Sequence, residues 1–400
     1  MRDTSIERWS ARLRIGLLTH SVNPRGGVVH TLELAKALHD AGHHVTVFAP
    51  AGPGQGLFRP VPHAVELMPL SLASGGLATR VGARIDDCVN HLRRRRLADS
   101  FDVLHAQDSI SGNALAVLRD EGAIGGFTRT VHHLDTFDDP RLTAWQQRAF
   151  RAADQVLCVS RLWCDTLKRE HQVEASLVAN GVDRTRFSPG PGHGDDRVAL
   201  SLGLRPGSPL FLAVGGIEER KNTRRVLAAF AEVRRSMPAA QLAIVGGATL
   251  LDHGDYVRAF DVDLAATGLV PGRDVVLTGA VPDADMPALF RLADALVMPS
   301  LREGFGLVVL EALASGTPVV VSRIAPFTEY LDAVEAGWVW ADPERSGSIA
   351  SAMVRAADPA RAASLRRSPP AVLDRHSWTA SAARHVALYR AHHALAGHPC

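Results

Sequence analysis

The feature that most constrains this chain is an alternation of short β-rich runs with amphipathic helical stretches, because strands joined through helices pack as parallel sheets covered on both faces. The alternation occurs twice. In the first half it predicts strands over residues 13–19, 44–49, 101–105, 127–132, 155–160 and 175–179. In the second half it predicts strands over 210–215, 241–246, 274–279, 295–299, 318–322 and 338–341. Between the halves lies "SPGPGHGDD", residues 188–196, whose Pro and Gly content suits a surface linker. A chain of 400 residues is too long for one ordinary core. It has no visible sequence repeat of solenoid length, so two doubly wound α/β domains are expected, over 13–187 and 197–377.

Composition narrows the function classes. The chain carries 44 Lys+Arg against 42 Asp+Glu, a net charge of only +2, which argues against a phosphate-reading basic face and so against nucleic acid. Cys88, Cys158, Cys164 and Cys400 show no paired metal spacing, and residues 1–12 are charged and polar with no apolar core of a leader. A reducing cytoplasm fits. No stretch approaches the ~18 consecutive apolar residues of a membrane span, so membrane contact would be peripheral.

Ligands of open parallel sheets sit beyond the carboxyl ends of the strands, and several of those ends are unusual here. "LLTHSVNPRGGVVH" leads from a strand into Gly26 and Gly27 and then a helix; "VLHAQD" ends with His105 and Asp108; "TVHHLDTF" carries His132, His133 and Asp135. A glycine pair lets backbone approach a ligand, and a helix start offers unbonded N–H groups to an anion. Tight strand-to-helix turns use the same glycines, and the histidines equally suit satisfied polar groups at a sheet edge. In the second half, "AVGGIEERKNTRRVLAAF" places Arg220 and Lys221 at the end of a loop, where a helix start adds partial positive charge suited to a diphosphate.

"REGFGLVVLEALASGTPVV" sets Glu303 and Glu311 eight positions apart. Ser300 and Glu303 have the spacing of a capping box. Glycine in a helix interior costs roughly 1 kcal/mol relative to alanine, so Gly304 and Gly306 place the helix start near Phe305 and leave Glu303 in the loop. Eight residues of helical rise span about 12 Å, too far for a glycosidase pair working at about 5 to 9.5 Å. Two acceptors separated by anion-binding amides suit an elongated molecule with hydroxyls at both ends and phosphate between, which describes a nucleotide sugar.

"PSLREGFGLVVLEALASGTPVVVS" resembles the E-x7-E region of retaining glycosyltransferases of the GT-B fold, specifically glycosyltransferase family 4. "VANGVDRTRFSP", "GGIEERKN" and "VVLTGAVPDADMPALFRLADALVMPS" resemble further segments of that family, and "DRHSWTASAARHVALYRAH" resembles its C-terminal helix, which over 378–395 would cross back onto the first domain. The resemblance covers nearly all of the chain from Leu13. It implies two Rossmann-like domains facing across a cleft, with an acceptor-side domain first and a nucleotide-sugar domain second.

Carried over by position, the resemblance gives Glu311 the ribose hydroxyls and Glu303 the hexose hydroxyls. The amides of Gly304, Phe305, Gly306 and Leu307 would meet sugar and diphosphate, Lys221 with Arg220 the diphosphate, and the backbone at Val281 the base. Gly26, Gly27 and His132 would approach the donor from the first domain, His132 orienting the sugar. Many members carry arginine where this chain has Gly216, five residues before the lysine, and Arg220 is the candidate replacement. The implied reaction is retaining transfer of a hexosyl group from a nucleotide diphosphate sugar to the hydroxyl of a sugar, lipid-linked or small-molecule acceptor, with no metal and no cofactor.

Three other readings remain open: a GT-B epimerase or hydrolase of nucleotide sugars, a non-catalytic nucleotide-sugar sensor, and a metal-dependent transferase using "DVD", residues 261–263. The last segment reads as helix, which splays adjacent side chains around its axis. The run Arg93 to Arg96 has two readings, an anionic membrane face or a solvated helix end diluted by Asp86, Asp87 and Asp99.

Overall fold

The computed structural model describes residues 12–71, 73–190, 192, 194–247, 254–331, 337–368 and 370–396. Most of the segment read for a leader, Cys400, and Pro191 and His193 of the expected linker lie outside the described residues.

Two compact units divide the chain. The first comprises the residues up to Asn180 together with those from Trp378 onward, and the second comprises Gly181–Ser377. The first holds a parallel sheet of strands β1 (Arg14–Leu18), β2 (His44–Ala51), β3 (Ala64–Pro69), β4 (Val103–Ala106), β5 (Thr128–Val131), β6 (Gln155–Cys158) and β7 (Ser176–Leu177). Their order is β3-β2-β1-β4-β5-β6-β7. The second holds β8 (Leu210–Val214), β9 (Gln241–Val245), β10 (Val275–Gly279), β11 (Ala295–Met298), β12 (Val319–Ser322) and β13 (Trp338–Ala341), ordered β10-β9-β8-β11-β12-β13. Strand direction of growth reverses between β1 and β4 in one sheet and between β8 and β11 in the other. These are the switch points at which such sheets leave a crevice for ligands.

The strands are almost wholly apolar where helices cover both faces, as in Gln241–Val245, polar only at Gln241, and Ala295–Met298, every residue of which is buried. Phe211, Leu227, Phe230 and Phe260 pack the second core, and Leu18, Phe48 and Leu115 the first. The expected strands are all present within two residues of their predicted bounds. β3 is an addition: it is an edge strand of mostly exposed residues, closed by Pro69, so it lacks the apolar run that marks its neighbours.

The expected linker is not where the chain changes units. Phe187 is buried against Phe290, with ring centroids 5.8 Å apart, and Arg186 pairs with Asp283 at 2.8 Å. Asp195 opens a helix (Asp195–Ser201) and grips Arg291 through two hydrogen bonds of 2.6 and 2.9 Å. These contacts fasten Arg186, Phe187 and Asp195 into the second unit. The chain instead crosses at Asn180/Gly181 and returns at Ser377/Trp378. The two crossings run side by side, with the Val182 N–H donating to the His376 carbonyl at 3.1 Å.

The C-terminal helix, Trp378–Ala396, belongs to the first unit, as expected. Its Tyr389 hydroxyl lies 2.7 Å from His105 Nδ1, and its Leu388 carbonyl accepts from Gln155 Nε2 at 3.0 Å.

Candidate active site

At the switch point of the second sheet, β8 runs into Gly215 and Gly216 and β11 into Pro299–Glu303. The glycines there follow from backbone crowding. A Cβ on Gly246, at φ +141, would come within 2.5 Å of the Gly216 nitrogen, so the ends of β8 and β9 approach with no room for a side chain. Asn222, in the left-handed region at φ 63, ends the following loop just before the helix Thr223–Ser236. Its Nδ2 donates to the carbonyls of Pro299 at 3.0 Å and Pro343 at 2.7 Å, and the Leu301 N–H donates to the Arg220 carbonyl at 2.9 Å. The loop bearing Arg220 and Lys221 is thereby fixed against the loop bearing Glu303.

Glu303 is 8% exposed and accepts from Lys221 Nζ at 2.7 Å, Arg220 Nη1 at 3.1 Å and its neighbour Gly304 N–H at 3.1 Å. Burial works to raise this carboxyl, but the Lys221 and Arg220 charges and the hydrogen bonds outweigh it and hold it at about 2. Burial pushes the Lys221 ammonium below its ordinary range, with Glu303 opposing that shift. The two cations expected at a diphosphate and the carboxylate expected at hexose hydroxyls are therefore one cluster.

The helix that follows begins at Leu307, two residues later than predicted, and runs to Ala314. Gly306 precedes it at φ +89, and a Cβ there would meet Phe327 at 2.6 Å, so the left-handed turn and the aromatic packing both exclude a larger residue. No side chain caps this helix. Glu303 lies outside it, so the capping box does not form, although Ser300 Oγ is 3.5 Å from its carboxylate. Only the later half of the interval to Glu311 is helical, and the 12 Å rise inferred from the sequence does not apply. Glu311 is half-buried on that helix, and Phe305 is buried, stacked on Tyr330 at 4.9 Å. Val281 is buried just beyond β10, and the Cβ of its neighbour Ala280 lies 3.6 Å from a Cβ built on Gly247.

In the first unit, Gly26 and Gly27 open the helix Gly26–Asp40, again with no capping side chain. A Cβ built on Gly27 lies 3.6 Å from His132 Cδ2. His132 is half-buried with Nε2 shut from solvent and unpartnered, and burial drives its pKa well down, so it is a neutral imidazole. His30 packs edge-on to it at 4.6 Å and bonds Asn180 Oδ1 at 2.8 Å. His105, one of the strand-end histidines for which both readings were open, is a satisfied core group between Tyr389 and Thr130, each at 2.7 Å.

The D-x-D reading fails on geometry. Asp261 and Asp263 lie in the helix Gly254–Thr267, and Asp263 is held by Arg224 at 2.6 and 3.2 Å. Among the described residues no group of His, Cys, Asp or Glu is arranged to hold a metal ion. In the basic run, Arg93 pairs with Glu121 at 2.6 Å, Arg95 with Glu66 at 2.9 Å and Arg96 with Asp99 at 2.8 Å. That matches the solvated helix end, with Asp99 the one partner foreseen. Among the described residues no helix is long and apolar enough to cross a membrane.

Sequence reasoning missed a set of buried polar groups at the carboxyl end of the first sheet: Thr19, Gln107, Arg129 and Ser160. The one available signal was an arginine inside the strand-like run "FTRTVH".

Two parallel-sheet α/β units, one with a paired cationic cluster at its switch point, define the GT-B class of fold. Solved structures of the same fold include sucrose-phosphate synthase from Thermosynechococcus elongatus, with TM-score 0.79 and 23% identity over 96% of this chain and 100% of that one. Another is the Anabaena protein HepE in complex with UDP and glucose, with TM-score 0.72 and 17% identity over 97% of this chain and 100% of that one. The family model described as Glycosyltransferase Family 4 matches residues 24–186, and that of Glycosyl transferases group 1 matches 199–358. The D-inositol 3-phosphate glycosyltransferase of Segniliparus rotundus is 34% identical over 220 residues, which span 54% of this chain and 46% of that relative's length. The phosphatidyl-myo-inositol mannosyltransferase of Mycobacterium tuberculosis is 30% identical over 81% of this chain and 82% of its own. The chain belongs to glycosyltransferase family 4 and is a hexosyltransferase.

Proposed function

We propose that this chain transfers a hexosyl group from a nucleotide diphosphate sugar to an acceptor hydroxyl with retention at the anomeric carbon, using side-chain cations and backbone amides in place of a metal. The observation that carries this reading is the Glu303–Lys221–Arg220 cluster at the β8/β11 switch point, beside an uncapped helix start. As the glycosidic bond breaks, negative charge grows on the departing diphosphate. Lys221 and Arg220, already fixed in place, stabilise that charge without reorganising. Glu303, ionised at any working pH, accepts hydrogen bonds from hexose hydroxyls, and Glu311 does so from the ribose. Neutral His132 orients the sugar.

No nucleophile is assigned, so the retaining step is drawn as same-face attack within an ion pair: the anomeric carbon–diphosphate bond breaks, the acceptor oxygen bonds that carbon, and the acceptor's hydroxyl proton passes to the departing diphosphate oxygen. The inositol-based substrates in the names of the two relatives make inositol-type polyols the first acceptors to try, and UDP-glucose is one donor of the panel. The test is an NMR time course with a set of nucleotide sugars and acceptors, with and without EDTA. The reading expects a glycosidic product of the donor's own anomeric configuration, formed equally in EDTA. Release of free nucleotide with sugar or an epimer, and no transfer to any acceptor, would favour a hydrolase or epimerase. Activity abolished by EDTA and restored by magnesium would refute the metal-independent mechanism.

A further inference from the structure

The switch point of the first sheet, between β1 and β4, holds cationic groups that no carboxylate among the described residues contacts directly. Arg129 sits on β5, in register with Ala106 of β4, and is 5% exposed, with Nε and Nη1 buried and unbonded. Two residues beyond Ala106, Asp108 caps the helix Ser109–Asp120 through the Ser111 N–H at 2.8 Å and approaches His20 Nδ1 at 3.8 Å. Arg80 and Arg84, one turn apart on the helix Leu77–Arg93, are half-buried, and Arg80 Nε is buried without a partner. Asp108 is within electrostatic reach of both Arg84 and Arg129, Asp87 also acts on Arg84, and Arg80 and Arg84 repel each other.

Further unbonded buried groups lie at the ends of the two strands that flank the switch point: Thr19 Oγ1 after β1 and both side-chain atoms of Gln107 after β4. The register Leu18↔Ala106 brings Thr19 beside Gln107. Several other arginines of this unit are matched, Arg14 with Asp102, Arg59 with Glu33 and Arg119 with Asp154, while Arg390 on the C-terminal helix also keeps a buried Nε without a partner. Unpaired guanidinium groups under cover are costly, and their gathering at a ligand crevice points to a missing anion. Three guanidinium groups against Asp108 and Asp87, the latter also bonded by Ser71, leave a positive surplus that a bound anion offsets, and the free amide and hydroxyl groups suit polyol oxygens.

We propose that Arg80, Arg84 and Arg129 form an anion subsite that holds a phosphate monoester carried by the acceptor, with Gln107 and Thr19 bonding its hydroxyls. This rests on the transferase reading for the word acceptor, but the subsite itself can be read by binding alone. Burial presses on the site in the direction a missing partner would relieve: the Arg129 guanidinium is pushed down to about 10, with Asp108 opposing.

The experiment is calorimetry on the full chain saturated with the nucleoside diphosphate it binds, so that the second-unit phosphate site is already filled. The probes are inorganic phosphate, glycerol 3-phosphate, glycerol, and vesicles of phosphatidylglycerol, whose headgroup is a diester. The expected result is binding of phosphate and glycerol 3-phosphate and none of glycerol or vesicles. Arg84→Gln and Arg80→Gln should each weaken the phosphate probes at least about tenfold, the scale of one lost charge-assisted bond. Nucleotide affinity should not change. Arg129→Met serves as a third variant if it folds; the two helix variants decide the matter without it. Absence of phosphate binding, or binding unaltered in both helix variants, overturns the subsite. Preference for vesicles over the monoester overturns the monoester in favour of a lipid headgroup. If no nucleoside diphosphate binds, the donor reading fails, and the phosphate arm run alone still tests the subsite.

Discussion

At the switch point of the second unit Glu303 answers both Lys221 and Arg220 through direct contacts, whereas at that of the first Asp108 acts on Arg84 and Arg129, and Asp87 on Arg84, without a direct ion pair to any of them. The contrast separates two ways of building a polar site. A paired cluster is rigid before any ligand arrives, which suits groups that must already be in place when charge develops in a transition state. An unpaired cluster is completed by the ligand's own charge, which suits recognition of a ground state.

The comparison breaks most sharply at Lys221. Replacing it with alanine removes one preorganised cation and leaves Glu303 buried beside Arg220 alone. The expected loss in kcat is about 100- to 1,000-fold, by analogy with losing one donor aimed at developing charge. Steady-state kinetics checks it, and a loss under about threefold would remove Lys221 from the chemistry. Glu311→Ala is expected to act on binding: donor KM should rise about tenfold with kcat little changed, because ribose contacts are equal in ground and transition states. An unchanged donor KM would count against that assignment.

The smallest effect is in stability against pH. The folded Glu303 carboxyl sits at about 2, below its ordinary 4.5. Its stabilising contribution is therefore complete above the ordinary value and is lost as pH falls from about 4.5 towards about 2. The melting temperature of the parent should exceed that of Glu303→Gln near neutrality, with the gap closing over that acid window. A gap independent of pH would show that the pair is not what stabilises the loop.

The same contrast explains what was legible in the sequence. The second-unit site is written in contiguous letters: Arg220 and Lys221 adjoin, and Glu303 to Leu307 form one run, so each residue could be named before its neighbours in space were known. What was not visible there was that the cations and Glu303 bind one another, since that depends on Asn222 anchoring one loop to the strand end that carries the other. The first-unit cluster is assembled from β5, the end of β4 and a helix between β3 and β4, and only strand register brings Arg129 beside Ala106. The expected linker failed for a related reason. Pro and Gly mark a loop, but Phe187 on Phe290 and Asp195 on Arg291 decide which unit the loop belongs to.

The most direct test of the central claim, that the second unit holds the donor nucleotide and the first acts on turnover, is one calorimetric comparison of Gly27→Val with Lys221→Ala. The first atom of a side chain fits at Gly27, 3.6 Å from His132, but the branches of valine would press on that ring and cover an uncapped helix start. Affinity for the nucleoside diphosphate should be nearly parental in Gly27→Val, although its turnover is far slower, and should collapse in Lys221→Ala. Equal loss of nucleotide affinity in both variants, or parental affinity in Lys221→Ala, would contradict the division of labour between the two units.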